Sequence, residues 1–469
     1  MALAVVLAGC VSTAGIESGA RALTPREIGL PAVASTAPAV GAQWWQDLGD
    51  ARLSGLVERS LAAHPSLKVA QARLAKAAAG VAIQEAGDGP RVVAGADSTR
   101  QHFSANSIYP APLGGSIRTL ANAQLAGSWE LDFFGQHGAA IAAAVGSERA
   151  AQADLAAARQ LLATQLVQAY VQWAQLADQR EVTQRALAQR EEMLGLIRER
   201  VSAGLDSQVE LRLGEGALPE TRLQLEQLDE RIASTRLAIA ALAAMPLEQL
   251  DGPHPTLRAL KAARLPDQLP ADLLGRRADI TAARWRMEAA TAGVKVARAQ
   301  FYPNINLTAF AGLSSIGLGQ LVESGSRHYG IGPAIHLPIF DAGALRAQLR
   351  GKTADLDAAI ETYNGAILDA VREAADQLNV LRSIARQQAE QAQAQAAAES
   401  AYEFARQRYA AGLTGHLTLI QAETAVLAQR RQALDLRARA LSAQAALARA
   451  LGGGHQAPTE LAAMQPESR

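Results

Sequence analysis

The 469-residue chain has one cysteine, 4% aromatic residues and no net charge, 45 Lys and Arg being matched by 45 Asp and Glu. One cysteine excludes an intrachain disulfide and any Cys-rich zinc or iron–sulfur site. A balanced charge removes the positive field that nucleic-acid binding relies on, so no nucleic-acid partner is expected. Enzyme signatures are missing as well. Ser-His-Asp and Walker-type spacings are absent, and the eight histidines (64, 102, 137, 254, 328, 336, 416 and 455) are scattered. The triple glycine at 452–454 reads as a helix stop rather than a phosphate loop. The chain is therefore expected not to be an enzyme, with no catalytic residue, no bound metal and no cofactor. The length allows two to four domains at about 100 to 200 residues each.

The opening MALAVVLAGC is an apolar run of ten residues. It matches a secretory h-region of about 7 to 15 residues and is too short for a membrane span of roughly 20. Leu7-Ala8-Gly9-Cys10 resembles a bacterial lipobox, which predicts a signal peptide over 1–9 and covalent lipid on Cys10. No Lys or Arg precedes Cys10, so a true start upstream of the recorded one is expected; the alternative is an ordinary free cysteine. Val11 stands where Asp would favour inner-membrane retention, which points to the outer membrane.

Two stretches of the chain repeat each other. RVSAGLDSQVEL (200–211) and RYAAGLTGHLTL (408–419) share Arg, Ala-Gly-Leu and a final Leu, each between long helical stretches. Upstream, WELDFFGQHGAA (129–140) parallels HLPIFDAGALRA (336–347). The plan is strand pair, long helix, glycine turn, long helix, used twice. Heptad signals run through the helices: Leu155, Leu162, Ala169 and Leu176, with Leu166 and Trp173; Leu349, Leu356 and Tyr363; Ile360, Ile367, Ala374 and Leu381; and Ile420, Leu427, Leu434 and Leu441. A 65-residue helix would be roughly 100 Å long, unsuited to a compact globule. Abundant Ala supports close helix packing. Pro219 is expected to kink or interrupt its helix.

Four segments have a period of two, about 91–103, 118–133, 303–313 and 328–340. Ala121, Ala123, Leu125, Trp129 and Leu131 alternate with polar residues; so do Ile305, Leu307 and Ala309; Ile331, Ile335, Leu337 and Ile339 share a face. Their lengths suit membrane strands of about 9 to 11 residues, and Phe103, Tyr109, Trp129, Phe133, Phe134, Phe301, Tyr302 and Tyr329 suit interfacial girdles. A soluble sandwich remains the competing arrangement. Four strands cannot close a useful barrel, so a membrane reading requires oligomerisation.

From Trp44 to Gly454 the chain resembles the TolC-like outer membrane efflux protein family, in its lipoprotein branch serving resistance-nodulation-division pumps. The motifs are WWQDLGDARLSGLVERSLAAHPSLKVAQARL, WELDFFG, LPADLLGRRADI (269–280), ARAQFYPNINLT (297–308), GIGPAIHLPIFDAGALRAQL (330–349) and ALGGG (450–454). Ala278 departs from the family's usual Pro, and His455 from its Trp. The resemblance implies a mixed fold, a membrane β-barrel plus a long α-helical barrel, built from an internally duplicated protomer with four strands and long coiled-coil helices. Three protomers would form a twelve-stranded barrel. The implied organisation is a lipid-anchored N-terminal linker at 10–43, a first repeat at 44–250, a second at 251–454 and a flexible tail at 455–469.

The implied function is a passive outer membrane channel of a tripartite efflux system in a Gram-negative bacterium. Its partners would be a periplasmic adaptor, a resistance-nodulation-division pump and outer membrane lipid, and it would extend into the periplasm. The alternative is a soluble periplasmic coiled-coil adaptor or scaffold. By the same resemblance, Gly204, Leu205, Gly412 and Leu413 mark the tip turns and adaptor docking. Leu417, Glu210, Tyr409 and Gln421 mark the periplasmic gate. Leu417 would form a ring across the aperture, with core packing as the alternative. Glu210 would pair with Tyr409, a solvated face being the alternative, while Thr414 replaces a basic partner and Gln421 an aspartate, leaving the constriction less acidic. Arg276, Arg277 and Asp279 are read as packing and ion-pair residues.

Overall fold

A computed structural model describes residues 12–24, 27–28, 40–262 and 273–455. Cys10, the expected signal peptide at 1–9 and the tail from 456 lie outside them. In chain order the elements are α1 (Ala51–Ala63), α2 (Pro65–Gly87), β1 (Arg91–His102), β2 (Ile117–Leu131), α3 (Gln136–Ser202), α4 (Gln208–Leu242), α5 (Leu273–Arg276), α6 (Ala278–Ala299), β3 (Asn304–Ile316), β4 (Arg327–His336), α7 (Ala344–Ala410) and α8 (His416–Ala450). The duplicated plan is present: α3 and α7 each have 67 residues, and α4 and α8 each have 35. Contacts divide the chain into two compact units that cut across the repeats. One contains residues up to Ala22 with Arg73–Gln152 and Ala282–Asn364; the other contains the remainder.

The first unit holds one antiparallel sheet in the order β1-β2-β3-β4. Paired residues in such a sheet share a face. The register Val92↔Gly127, Ala94↔Leu125, Trp129↔Leu307, Leu131↔Ile305, Gly127↔Ala309, Ala309↔Ile331 and Ile305↔Ile335 therefore collects apolar residues on one side. Asp97↔Asn122, Gln124↔Gly312, Ser128↔Thr308, Glu130↔Asn306 and Gly312↔His328 collect polar ones on the other. The apolar side is bare, with Tyr329 83% and Ile331 76% exposed. β1 and β4 each leave an unpaired edge. Among the described residues no helix is long and apolar enough to cross a membrane, which says nothing of strands.

The strands differ a little from expectation at their ends. β4 stops at His336 rather than about 340, because Pro338 has no N–H to give a ladder. β2 stops at Leu131 because Asp132 turns to accept the Gly138 N–H at 2.9 Å, capping α3. Asp341 does the same for α7, accepting from Gly343 and Leu345 at 3.0 and 2.6 Å. His328 and His336, eight residues apart on one strand, are separated by ~26 Å at 3.3 Å per residue, too far to share a metal. In the helical part of this unit Ile16, Val294, Ala297 and Leu349 form a small core. Gly146 lets α3 approach α6, since a Cβ there would meet Ala289 at 3.0 Å.

The second unit carries the larger core. Trp44, Trp45, Leu48, Leu53, Leu166, Tyr170, Trp173, Leu176, Ile239 and Leu441 are buried together, so the heptad seam of α3 packs as expected. Asp50 caps α1 through the Leu53 N–H at 2.9 Å and accepts the Tyr170 hydroxyl at 2.9 Å. Arg277 is buried and bonds Asp279 at 2.7 Å, Glu373 at 3.0 Å and the Ala450 carbonyl at 3.0 Å, the packing and ion-pair role expected of Arg277 and Asp279. The triple glycine does stop α8. It also lies against backbone: Gly452 has φ +100°, and a Cβ on it would fall 2.0 Å from the Arg276 carbonyl. Pro219, by contrast, does not interrupt its helix, and α4 runs unbroken through it. The proline lies on the exposed face of α4 and costs the helix one ladder hydrogen bond, the one to the Glu215 carbonyl.

Candidate functional site

The two glycine turns lie in the second unit. Each ends a long helix in the same way. Gly204 and Gly412 have φ +70° and +71°, where a side chain is strained, and the following Leu N–H returns to the carbonyl of Arg200 or Arg408 at 2.8 Å in both. Leu205 and Leu413, next in each turn, are 67% and 69% exposed.

The side chains around these turns are not alike. In the first, Arg200 grips Asp206 with two hydrogen bonds of 2.9 and 3.1 Å. Ser207 is the N-cap of α4, accepting from the Val209 N–H at 3.2 Å, and Glu210 completes a capping box by accepting the Ser207 N–H at 3.0 Å. In the second turn the N-cap is Gly415, which has no side chain to offer, and Thr414 and Thr418 occupy the places of Asp206 and Glu210.

The second turn is tied to the first through Tyr409, whose buried hydroxyl donates to Asp206 Oδ2 at 3.0 Å. The Arg200 guanidinium lies over the same ring, 5.1 Å from its centroid. Hydrogen bonds from Arg200 and Tyr409 hold the Asp206 carboxyl below the usual carboxylate range. Burial, with the Asp206 carboxylate, pushes the Tyr409 phenol up to about 12.

On α8, seven residues after its first residue, Glu423 accepts from Arg190 Nε at 3.1 Å. Arg190 Nη1 also donates to Thr221 Oγ1 at 2.8 Å, so one guanidinium joins α3, α4 and α8. The pair is largely buried, and burial raises the Glu423 carboxyl against the opposing pull of Arg190.

The sequence-predicted residues fall as follows. Tyr409 and Glu210 both lie at the turns but are not partners: Glu210 is spent on the Ser207 cap, and Asp206 is what Tyr409 binds. The Ser-x-x-Glu spacing at 207–210 was the signal for that assignment. Leu417 is 53% exposed, so it is not core of its own protomer; Gln421 is exposed too. Arg200, Asp206, Arg190 and Glu423 were missed, because single charges on a heptad give no sign of which neighbour they will face.

The duplicated frame, the face-segregated sheet and the paired glycine turns lead to one comparison. The family model for outer membrane efflux protein matches residues 56–244 and again 269–453. The chain belongs to the outer membrane efflux protein family. It is 33% identical over 430 residues to the multidrug resistance outer membrane protein MdtP of Escherichia coli K12, covering 89% of this chain and 87% of that protein. It is 29% identical over 464 residues to the putative multidrug resistance outer membrane protein MdtQ of the same strain, covering 97% of each. Among solved structures, the outer membrane protein VceC of Vibrio cholerae superposes with a TM-score of 0.83 at 33% identity, covering 89% of this chain and all of that one. The open state of the MtrE outer membrane channel of Neisseria gonorrhoeae gives 0.79 at 26% identity, over 90% and 94%. The expected fold class, a four-strand sheet with long duplicated helices of the TolC-like kind, and the expected outer membrane location both stand.

Proposed function

We propose that the chain is the outer membrane channel of a tripartite efflux system, conducting passively what an inner-membrane pump delivers through a periplasmic adaptor. The observation that carries this reading is the sheet: one face apolar and bare, the other polar, with both edges unpaired. In lipid an open edge leaves N–H and C=O groups without partners, at several kcal/mol each. Three chains joined edge to edge would satisfy every edge with twelve strands, apolar outside and polar within. The relatives' multidrug names support drugs as the cargo class. No step of chemistry is needed, and the pump supplies the driving force.

Cys10 would carry lipid. Support comes from the residues that follow: Arg346, at the start of α7 just after β4, donates to the carbonyls of Ser12 and Ala14.

Within such a trimer the second glycine turn would be the gate, with Leu417 facing the aperture and the Tyr409–Asp206 hydrogen bond holding it shut. Leu205 and Leu413 would meet the adaptor. The experiment is the mass of the detergent-extracted protein together with its conductance in planar bilayers. A mass about three times the protomer's, with ion-conducting channels, is expected. A monomer released by carbonate washing and forming no channel would return the reading to a soluble adaptor.

A further inference from the structure

His416 opens α8, directly before Leu417, and the two residues face opposite ways. Leu417 is 53% exposed, whereas His416 is 3% exposed. Its ring lies 5.7 Å from that of Tyr409, tilted at 54°. It lines a cavity of about 30 Å³, room for about one water, with Ile197 and Leu419. Gly214 lines the same cavity, and a Cβ there would press on Leu194 Cδ1 and Ile197 Cδ1 at 3.1 and 3.2 Å while only touching His416 Cε1 at 4.0 Å. At the matching place in the first repeat stands Gln208, which is exposed. The buried imidazole therefore belongs to one turn only.

The site holds this ring in its neutral form. Nδ1 is buried without a hydrogen-bonding partner in the protein. The ring also stands in the first turn of α8, where unpaired backbone N–H groups repel a cation. The facing groups are Arg190 and Arg200 of α3, Asp206 of the first turn, Glu210 of α4, Tyr402 and Tyr409 of α7, and Glu423 of α8. Asp206 and Glu210 favour a charged ring, but both are already engaged by Arg200, Tyr409 and Ser207.

We propose that His416 is a positioning residue of the gate: uncharged, it seats the start of α8 so that Leu417 closes the aperture, and once protonated it leaves its cavity and frees the turn. The proposal rests on the gate reading above.

The direction with pH follows from burial, which holds the imidazole below its ordinary value, outweighing the pull of Asp206 and Glu210. A ring exposed in the open state would titrate near 6.5. The open state then binds protons first, so closure is fully supported above about pH 6.5 and weakens as pH falls below it. Each unit of difference between the two states favours opening up to ~10-fold per protomer. Asp206, held low, stays charged through this window. Glu423, held high, takes up protons more readily when buried and so acts in the opposite sense, favouring closure in acid.

The test is single-channel recording of the full-length assembled protein in planar bilayers from pH 7.5 to 5. Open probability should rise severalfold as pH falls. His416→Phe keeps a ring in the cavity without a titrating nitrogen; it should stay closed with a flat profile. His416→Gln, the residue of the first repeat, should also be flat but more open at every pH. A flat profile in the parent, or an unchanged acid response in His416→Phe, overturns the proposal while leaving the channel intact. Acid-induced closure also overturns it and points to Glu423. Failure of the parent to form channels at any pH overturns the gate reading and this proposal together.

Discussion

The two glycine turns have the same backbone and different anchorage. Both reverse through a left-handed glycine and expose a leucine. The first is braced by the Arg200–Asp206 ion pair and by the Ser207–Glu210 capping box, all within itself. The second has Gly415, Thr414 and Thr418 at the corresponding places and depends on a borrowed contact, Tyr409 to Asp206. Duplication thus supplied two turns of equal backbone, and side-chain divergence braced one from within and left the other held from outside. The gate proposed above needs that inequality, since a turn that rigidifies itself cannot also swing.

The largest effect is expected where the second repeat is held most firmly. Glu423→Ala strands the buried Arg190 charge and should cost about 3–5 kcal/mol in unfolding followed by circular dichroism. Glu215, its counterpart in α4, pairs with Arg212 at 2.8 Å near the surface, and Glu215→Ala should cost only about 0–1 kcal/mol. Equal losses would erase the difference between the repeats. Next, Asp206→Ala removes the partner of both Arg200 and Tyr409, and should raise the conductance of the resting channel more than Glu210→Ala, which loosens only a cap. Tyr409→Phe, lacking one hydrogen bond, should weaken closure by about 1 kcal/mol. Smallest of all, Gly415→Ser would give the second turn the cap it lacks. Its extended backbone, φ −79° and ψ 162°, accepts serine, and a gain of a few tenths of a kcal/mol should lower open probability slightly.

The architecture was largely legible in the sequence because it is periodic. Sevens along α3, α7 and α8 and twos along the strands survive any detail of packing, and the Gly-Leu pairs at 204–205 and 412–413 mark the ends of helices wherever they lie. Requiring Trp129, Leu307 and Ile331 to share a face gives the apolar side of each strand, but a slip of two residues keeps the same faces, so the register itself is seen only in the structure. The site was read less completely. Glu210 was the plausible acid by position, yet its own cap claims it, and Asp206, two residues beyond a glycine, is brought to Tyr409 only by the reversal of the turn. His416 resembles any other histidine until the reversal of the turn folds it into a cavity beside Tyr409 and Leu419. Of the two outcomes expected at Pro219, interruption does not occur: the exposed proline removes one ladder hydrogen bond without ending α4.

The central claim is that the second turn moves against a fixed first one, and matched charges test it most directly. Val209 and Leu417 hold the same place in the two repeats and are 65% and 53% exposed. Three like charges brought together at an aperture repel, whereas charges spread over a fixed outer surface do not. In planar bilayers, Leu417→Asp should conduct well above the parent at rest while still assembling as the parent does, and Val209→Asp should be indistinguishable from the parent. If both variants, or neither, change the resting conductance, the turns are equivalent and the account is wrong.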